Sequence, residues 1–407
     1  MSMNSTPRAN RTHIAIFGMR NVGKSSVINA LTNQQISLVS DFAGTTTDPV
    51  FKSMEILPLG PVVLIDTAGI DDVGELGKLR VQRTYDVINK TDIGLIVFDV
   101  NQEDFKYEFD LIKEFKKRQK PYLLIANKID LVSEIKSFDE IFKKDKIHFV
   151  SSTNKDGFED LKKVIGTTLK IEEEKFRIVG DLINPGDFIV LVTPIDKAAP
   201  KGRLILPQQQ TIRDILESDA IAIVTKEHEL RETLDKLGTK PKMVITDSQA
   251  FLKVSADTPK DIMLTSFSIL FARNKGDLEE LVKGAKAIDR LENGDKILVS
   301  EGCTHHRQSD DIGTVKIPRW LRQYTGKDFE FVYSSGYSFP KDMEDVKLVI
   351  HCGACMLNKS EMMYRIKEVK EKGIPIVNYG VLISYVQGIF DRALDPFPLA
   401  KMIYEEE

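Results

Sequence analysis

The chain has 407 residues, too many for one hydrophobic core, so two or three domains are expected. Apolar residues make up 42% and charged residues 29%, and the formal net charge of −4 argues against a large basic surface of the kind that grips nucleic acid. No apolar run reaches the roughly 18 residues of a membrane span, and the polar start MSMNSTPRANRTH lacks a signal-peptide core. A cytoplasmic protein with neither nucleic acid nor membrane as partner is the expectation.

In chain order, HIAIFG (13–18), VVLID (62–66), IGLIVFDV (93–100), PYLLIAN (121–127) and KIHFVSS (146–152) read as buried strands. Amphipathic segments such as 104–118 and 156–169 lie between them, and strand–helix alternation predicts a parallel sheet covered on both faces. The basic run KEFKKRQK (113–120) reads as a solvated helix face, and IEEEKFR (171–177) as a linker. A second unit follows, with strands DFIVLVTPI, AIAIVTK and KMVITD and helices over 208–218 and 228–237. Its segment PIDKAAPKGR (194–203) reads as a loop, and the unit carries no constellation of chemical groups, which suits a scaffold or association domain. The third unit has strands 297–302, 329–335, 347–351 and 374–380, with helices at 277–291, 316–324, 357–371 and 381–391. The expected class is α/β: a P-loop domain with a parallel sheet over 1–172, then two smaller α/β domains over 178–262 and 263–407.

Gly18-Met19-Arg20-Asn21-Val22-Gly23-Lys24-Ser25 fits the P-loop pattern, following a predicted strand and opening a predicted helix. The glycines let backbone N–H groups curl around phosphate oxygens, Lys24 reaches the β- and γ-phosphates, and the Ser25 hydroxyl binds Mg²⁺. Gly18, Asn21, Val22, Gly23, Lys24, Ser25 and Ser26 form the expected phosphate cradle. Asp66-Thr67-Ala68-Gly69 ends the next strand: Asp66 is suited to hold Mg²⁺ through water, and the Gly69 N–H to sense the γ-phosphate. Asn127-Lys128-Ile129-Asp130 follows, where the Asp130 carboxylate can accept from N1 and N2 of guanine, a donor pair that adenine lacks. Ser151 and Ser152 complete a base pocket with Asn127, Lys128 and Asp130. Every motif lies at a strand carboxyl end, where open α/β sheets bind ligands. GTP, not ATP, is the expected nucleotide.

Gly44-Thr45-Thr46-Thr47-Asp48 resembles the switch I motif of the TrmE-Era-like GTPases. The resemblance implies that Thr46, with Thr45 and Thr47 as neighbouring alternatives, binds Mg²⁺; Thr46, Lys24 and Gly69 are the expected catalytic residues. Ile70 stands where Ras-like enzymes place a water-orienting glutamine, a task isoleucine cannot perform. Asn21 matches the asparagine that helps the TrmE-like subgroup bind K⁺, which implies slow, K⁺-stimulated hydrolysis aided by pairing of two such domains. That subgroup's catalytic glutamate does not align cleanly; Glu75, Asp71 and Asp72 are nearby, and the general base stays unassigned.

All three cysteines fall in the last third of the chain, as Cys303-Thr304-His305 and, 45 residues later, His351-Cys352-Gly353-Ala354-Cys355. So few cysteines argue against a disulfide framework. Both groups follow predicted strands and can converge in one crevice, with a helix N-terminus to stabilise thiolates. The residue chemistry suits either a Cys₃His zinc site or a 4Fe-4S cluster on three thiolates with one exchangeable ligand. His305, His351, Asp310, Asp311 or an exogenous group are candidates for that ligand. Asn378 and Tyr379, at the end of a neighbouring strand, read as ordinary strand-end residues or as lining of the same pocket.

The combination of a TrmE-like G domain, a cysteine-free middle and a C-terminal CxH…HCxxC constellation resembles the HydF family of FeFe-hydrogenase maturation GTPases. The resemblance covers the whole chain. It implies a homodimer or higher oligomer formed through the middle unit, and a 4Fe-4S cluster on Cys303, Cys352, Cys355 and a histidine, His305 or His351. It further implies transient carriage of a two-iron precursor, delivery to apo FeFe-hydrogenase, and two radical-SAM maturases upstream. The competing reading is a regulatory or RNA-associated GTPase with a zinc-stabilised tail domain.

Overall fold

A computed structural model describes residues 8–32, 50–56, 59–67, 84–135, 137–142, 145–173, 177–195, 204–302, 311–336, 339–340 and 342–406. The chain forms two compact units, Met1–Lys175 and Phe176–Glu407. Among the described residues, no helix is long and apolar enough to cross a membrane.

The first unit contains β1 (Thr12–Phe17), α1 (Lys24–Thr32), β2 (Val50–Ile56), β3 (Gly60–Asp66) and α2 (84–90). It continues with β4 (Ile93–Asp99), α3 (Lys106–Lys117), β5 (Tyr122–Asn127), α4 (Asp139–Phe142), β6 (Ile147–Phe149) and α5 (Phe158–Glu173). The six strands lie in the order β2-β3-β1-β4-β5-β6, parallel except for β2, which runs antiparallel to β3. The central strands are apolar along most of their length because both faces are covered: Ile14 and Ile16 pack into one core layer, Ala15 and Phe17 into the other. β2 is absent from the sequence expectation. Its run VFKSMEI is interrupted by Lys52, Ser53 and Glu55, the composition of a sheet edge. Residues 171–173, expected as linker, continue α5.

The second unit begins with β7 (Phe188–Val192), α6 (Leu206–Glu217), β8 (Ile221–Thr225), α7 (Leu230–Lys236), β9 (Met243–Thr246), α8 (Phe251–Asp257), β10 (Met263–Ser266) and α9 (Phe267–Lys275). Its first sheet is parallel, in the order β10-β9-β7-β8. Residues 263–266, placed by the sequence reading in the third unit, thus pair within the middle sheet. There follow α10 (Leu278–Lys286), β11 (Lys296–Glu301), a π-helix (Ile312–Lys316), α11 (Ile317–Thr325), β12 (Glu330–Ser335), β13 (Val346–His351), α12 (Lys359–Glu371), β14 (Ile376–Asn378), α13 (Tyr379–Val386), α14 (Phe390–Ala393) and α15 (Pro398–Glu405). These strands form a second parallel sheet, β12-β11-β13-β14. One continuous apolar core runs through both sheets of this unit. α9 joins them: Ser266 caps its N-terminus by accepting from the Ile269 N–H, and it packs against α6 as well as α12 and α13.

Candidate functional site

The loop between β1 and α1 is shaped by close packing. A Cβ at Gly18 would lie 2.2 Å from the Val97 carbonyl oxygen of β4. Gly23 has φ +93, and a Cβ there would lie 2.4 Å from the Asn127 side-chain nitrogen. Asn21 adopts φ 63, a left-handed conformation that asparagine tolerates better than most residues. Lys24 Nζ donates to the carbonyls of Gly18 (2.9 Å) and Met19 (2.7 Å), which folds the side chain back over the loop.

Asp66, at the end of β3, lies beside α1. Its Oδ2 is 3.5 Å from the Ser25 hydroxyl, and its Oδ1 is buried with no hydrogen-bond partner among the described residues. Burial pushes the Asp66 carboxyl above its ordinary value, against the opposing pull of Lys24 and the Ser25 hydroxyl. An orphaned carboxylate oxygen next to a serine hydroxyl suits a hard divalent cation. Asn127 is fully buried and links two loops: its Nδ2 donates to the Val22 carbonyl (3.0 Å), and its Oδ1 accepts from the Ser152 N–H (3.2 Å) and hydroxyl (2.9 Å). Lys128, at φ 68, pairs with Asp99 at 2.7 Å. The Ser151 hydroxyl donates to Asp130 Oδ1, leaving the rest of that exposed carboxylate facing out. Ser26 is exposed on the first turn of α1. The structure therefore brings the expected phosphate, metal and base residues to one edge of the sheet. Thr46 and Gly69 lie outside the described residues, as do Ile70, Asp71, Asp72 and Glu75.

In the second unit, β11, β13 and β14 end side by side at Glu301, His351 and Asn378. Cys352 directly follows β13, and its Sγ accepts from the backbone N–H groups of Gly302 (3.1 Å) and Ala354 (3.4 Å). Such donors favour a sulfur carrying negative charge, as in thiolate-held clusters. Ala354 takes φ 53, and Cys355 is exposed. Cys303, His305 and Asp310 lie outside the described residues. Among those described, no group of three or more His, Cys, Asp and Glu side chains is arranged to hold a metal. The described part of the donor set fits an anionic, thiolate-bound group.

His351, expected as a metal ligand, is fully buried, with Nδ1 2.9 Å from the Cys352 carbonyl oxygen and Nε2 3.1 Å from Arg365 Nη1. Burial, with Arg365 adding to it, pushes the imidazole down to about 3. The neutral ring therefore donates through Nδ1 and accepts at Nε2. Both ring nitrogens meet protein partners here, so in this arrangement the ring supports the Cys352 loop. Asp311, a candidate fourth ligand, caps the π-helix, with Oδ2 accepting from the Thr314 N–H and hydroxyl, both at 2.9 Å. Asn378 caps α13 through the Val381 N–H (2.8 Å), and the Tyr379 hydroxyl donates to buried Glu301 (3.1 Å). Burial first, then the Glu301 carboxylate, pushes the Tyr379 phenol up.

The sequence reading missed two buried cations beside this site. Arg365, 0% exposed, donates to Glu361 (3.0 Å) and to the Gly336 carbonyl (3.2 Å) and lies over the Phe339 ring. Lys275, the last residue of α9, donates to the carbonyls of Ala354 (3.3 Å) and Leu357 (3.1 Å). Burial pushes Lys275 down to about 8, while Cys355 and Cys352 pull it back up. No motif marks either residue; their positions depend on contacts far apart in the chain.

Residues 13–128 match the 50S ribosome-binding GTPase family model, so the first unit is a GTPase domain. The tRNA modification GTPase MnmE of Aquifex aeolicus is 32% identical over 227 residues, covering 55% of this chain and 46% of that protein. GTPase Der of Buchnera aphidicola is 31% identical over 186 residues, covering 42% of this chain and 41% of its own length. The chain thus spans less than half the length of these curated relatives. Among solved structures, a point variant of Aquifex aeolicus Era bound to GDP and AlF₄⁻ is 21% identical, with a TM-score of 0.32 and coverage of 56% of this chain and 98% of that one. Residues 178–276 match the hydrogen maturase F dimerization domain, and residues 279–396 the hydrogen maturase F tetramerization domain. These two models together match more than half of the chain, which belongs to the hydrogen maturase F family.

Proposed function

We propose that this chain is a GTP-hydrolysing scaffold that holds an iron–sulfur cluster and hands a two-iron precursor to apo FeFe-hydrogenase. The observation that carries the reading is the pairing, in one chain, of a GTPase domain with hydrogen maturase F domains that contain a cysteine loop whose backbone N–H groups donate to the Cys352 sulfur.

In the first unit, backbone N–H groups of residues 18–24 bind the phosphates, and Lys24 leaves its two carbonyls to neutralise the β- and γ-oxygens. Ser25, Asp66 and Thr46 would hold Mg²⁺, which would supply charge neutralisation on the leaving phosphate. Gly69 contacts the γ-phosphate, and Asn21 holds K⁺ in place of an arginine finger. Asp130 accepts from the guanine edge, while Ser151, Ser152, Asn127 and Lys128 keep its loop in position. Domain pairing would bring two such sites together.

In the second unit, Cys303, Cys352 and Cys355 would hold a 4Fe-4S cluster through three thiolates, and the cluster would supply an exchangeable attachment point for cargo. His305, His351, Asp310, Asp311 or an exogenous group would complete the ligand set, and His351 also supports the Cys352 loop through its carbonyl. The dimerisation segment extends through α9 to about residue 276, because β10 pairs inside the middle sheet. The last segment adds a further self-association surface. Two radical-SAM maturases would load the precursor, in a cytoplasmic setting.

Hydrogenase activation tests this reading. Protein loaded with the two-iron precursor should activate apo FeFe-hydrogenase, and Cys303→Ser, Cys352→Ser and Cys355→Ser should each abolish it. Normal activation by all three variants would remove the cysteine site from delivery.

A further inference from the structure

Of the two buried cations beside the cysteine site, Arg365 pairs with Glu361 while Lys275 has no carboxylate partner among the described residues. Lys275 is 6% exposed. An ammonium taken out of water without a counter-charge costs several kcal/mol. Its surroundings show what offsets that cost. The two carbonyls it binds belong to Ala354 and Leu357, which bracket Cys355. The same turn is closed by the Leu357 N–H donating to the Ala354 carbonyl (3.1 Å), and the Ala354 N–H reaches the Cys352 sulfur (3.4 Å). Burial pushes Lys275 down, and Cys355 and Cys352 oppose that shift, as they would for a cation facing their sulfurs. The residue also ends α9, where the helix dipole presents its negative pole to a cation.

We infer that Lys275 is the internal counter-ion of the cysteine site, a positioning residue that holds the Cys352–Leu357 turn and sets the electrical potential felt by an anionic group on Cys352 and Cys355. The inference rests on the cluster reading above and goes beyond it. Two effects follow from one side chain. Its hydrogen bonds fix the turn, so they govern how well the cluster is retained. Its charge favours the more negative, one-electron-reduced cluster, so it raises the reduction potential. Because α9 belongs to the dimerisation segment, this contact also ties the cysteine turn to the half of the unit that pairs with a second copy.

The test uses the full chain, reconstituted anaerobically with iron and sulfide. Lys275→Gln retains a donor but no charge; Lys275→Met removes both. Iron and sulfide content reads retention, an EPR-monitored redox titration reads potential, and circular dichroism reads folding. Lys275→Gln should retain cluster within about twofold of the parent and titrate at a more negative potential. Lys275→Met should lose cluster severalfold, and what remains should titrate at least as low. If Lys275→Met does not fold, Lys275→Gln alone decides; a folded Lys275→Gln chain that retains no cluster would overturn the separation of anchoring from charge. A parental potential in a cluster-loaded Lys275→Gln chain would overturn the inference. A parent chain that takes up no iron and sulfide would instead overturn the cluster reading on which it rests.

Discussion

Two lysines in this molecule make the same bonds for different ends. Lys24 and Lys275 each donate to two main-chain carbonyls of a loop at the carboxyl end of a parallel sheet. Lys24 grasps carbonyls five and six residues away in its own loop, at the rim of a site open to solvent. It can release them when phosphate oxygens offer stronger, charge-assisted bonds. Lys275 reaches carbonyls 79 and 82 residues away and is sealed in the core. It has nowhere else to go, so its charge is a fixed part of the site. The first arrangement suits a ligand that comes and goes with each turnover, the second a resident anionic group.

The largest effects should separate the two sites completely. Lys24→Ala should lower GTP turnover by about 10²–10³, the usual cost of removing one electrostatic donor from a charged transition state. Its cysteine site should fill with iron as in the parent. Cys352→Ser should do the opposite, losing most of the iron while GTP turnover stays within about twofold, because the two units have separate cores. Turnover and iron content measured on both variants would break the comparison if either change impaired both sites.

Next in size is Arg365→Met. It strips the counter-charge from Glu361, 3% exposed, and the donor from His351, so the fold should lose about 3–5 kcal/mol. Denaturant unfolding of the second unit's signal measures this. A loss below about 1 kcal/mol would mean that the pair contributes little and that His351 is held by packing alone.

Asp130→Asn should weaken GTP binding by about 1.5–3 kcal/mol, roughly 10- to 150-fold, since a carboxylate accepting two bonds becomes an amide accepting one fewer. Calorimetry with unchanged GTP affinity would take Asp130 out of the base pocket. The smallest expected effect is a several-fold rise in turnover when K⁺ replaces Na⁺, blunted in Asn21→Ala. Equal rates in both salts would leave GTP binding standing and end the role of Asn21 as a cation ligand.

The sequence made the local features legible and hid the distant ones. The P-loop, Asp66 and Asn127–Asp130 are contiguous runs joined to apolar strands, and such runs can be read without knowing what packs against them. The edge strand β2 was missed because its polar residues dilute the apolar pattern. The short run MLTS of β10 was assigned to the wrong neighbour, since pairing with β9 is a tertiary fact. His351 sits in an HCxxC run that invites a ligand role. Only Arg365, fourteen residues later on another element, shows that both ring nitrogens are engaged. Lys275, in a helix rich in buried apolar residues, carries no sign of the turn it supports.

Metal analysis of the anaerobically purified and reconstituted chain tests the central claim most directly. The account predicts a brown protein with about four iron and four sulfide per chain, broad absorption near roughly 400 nm, and GTP turnover in the same sample. A colourless protein carrying one zinc per chain and no sulfide would contradict it, and would make the cysteine turn a structural zinc site.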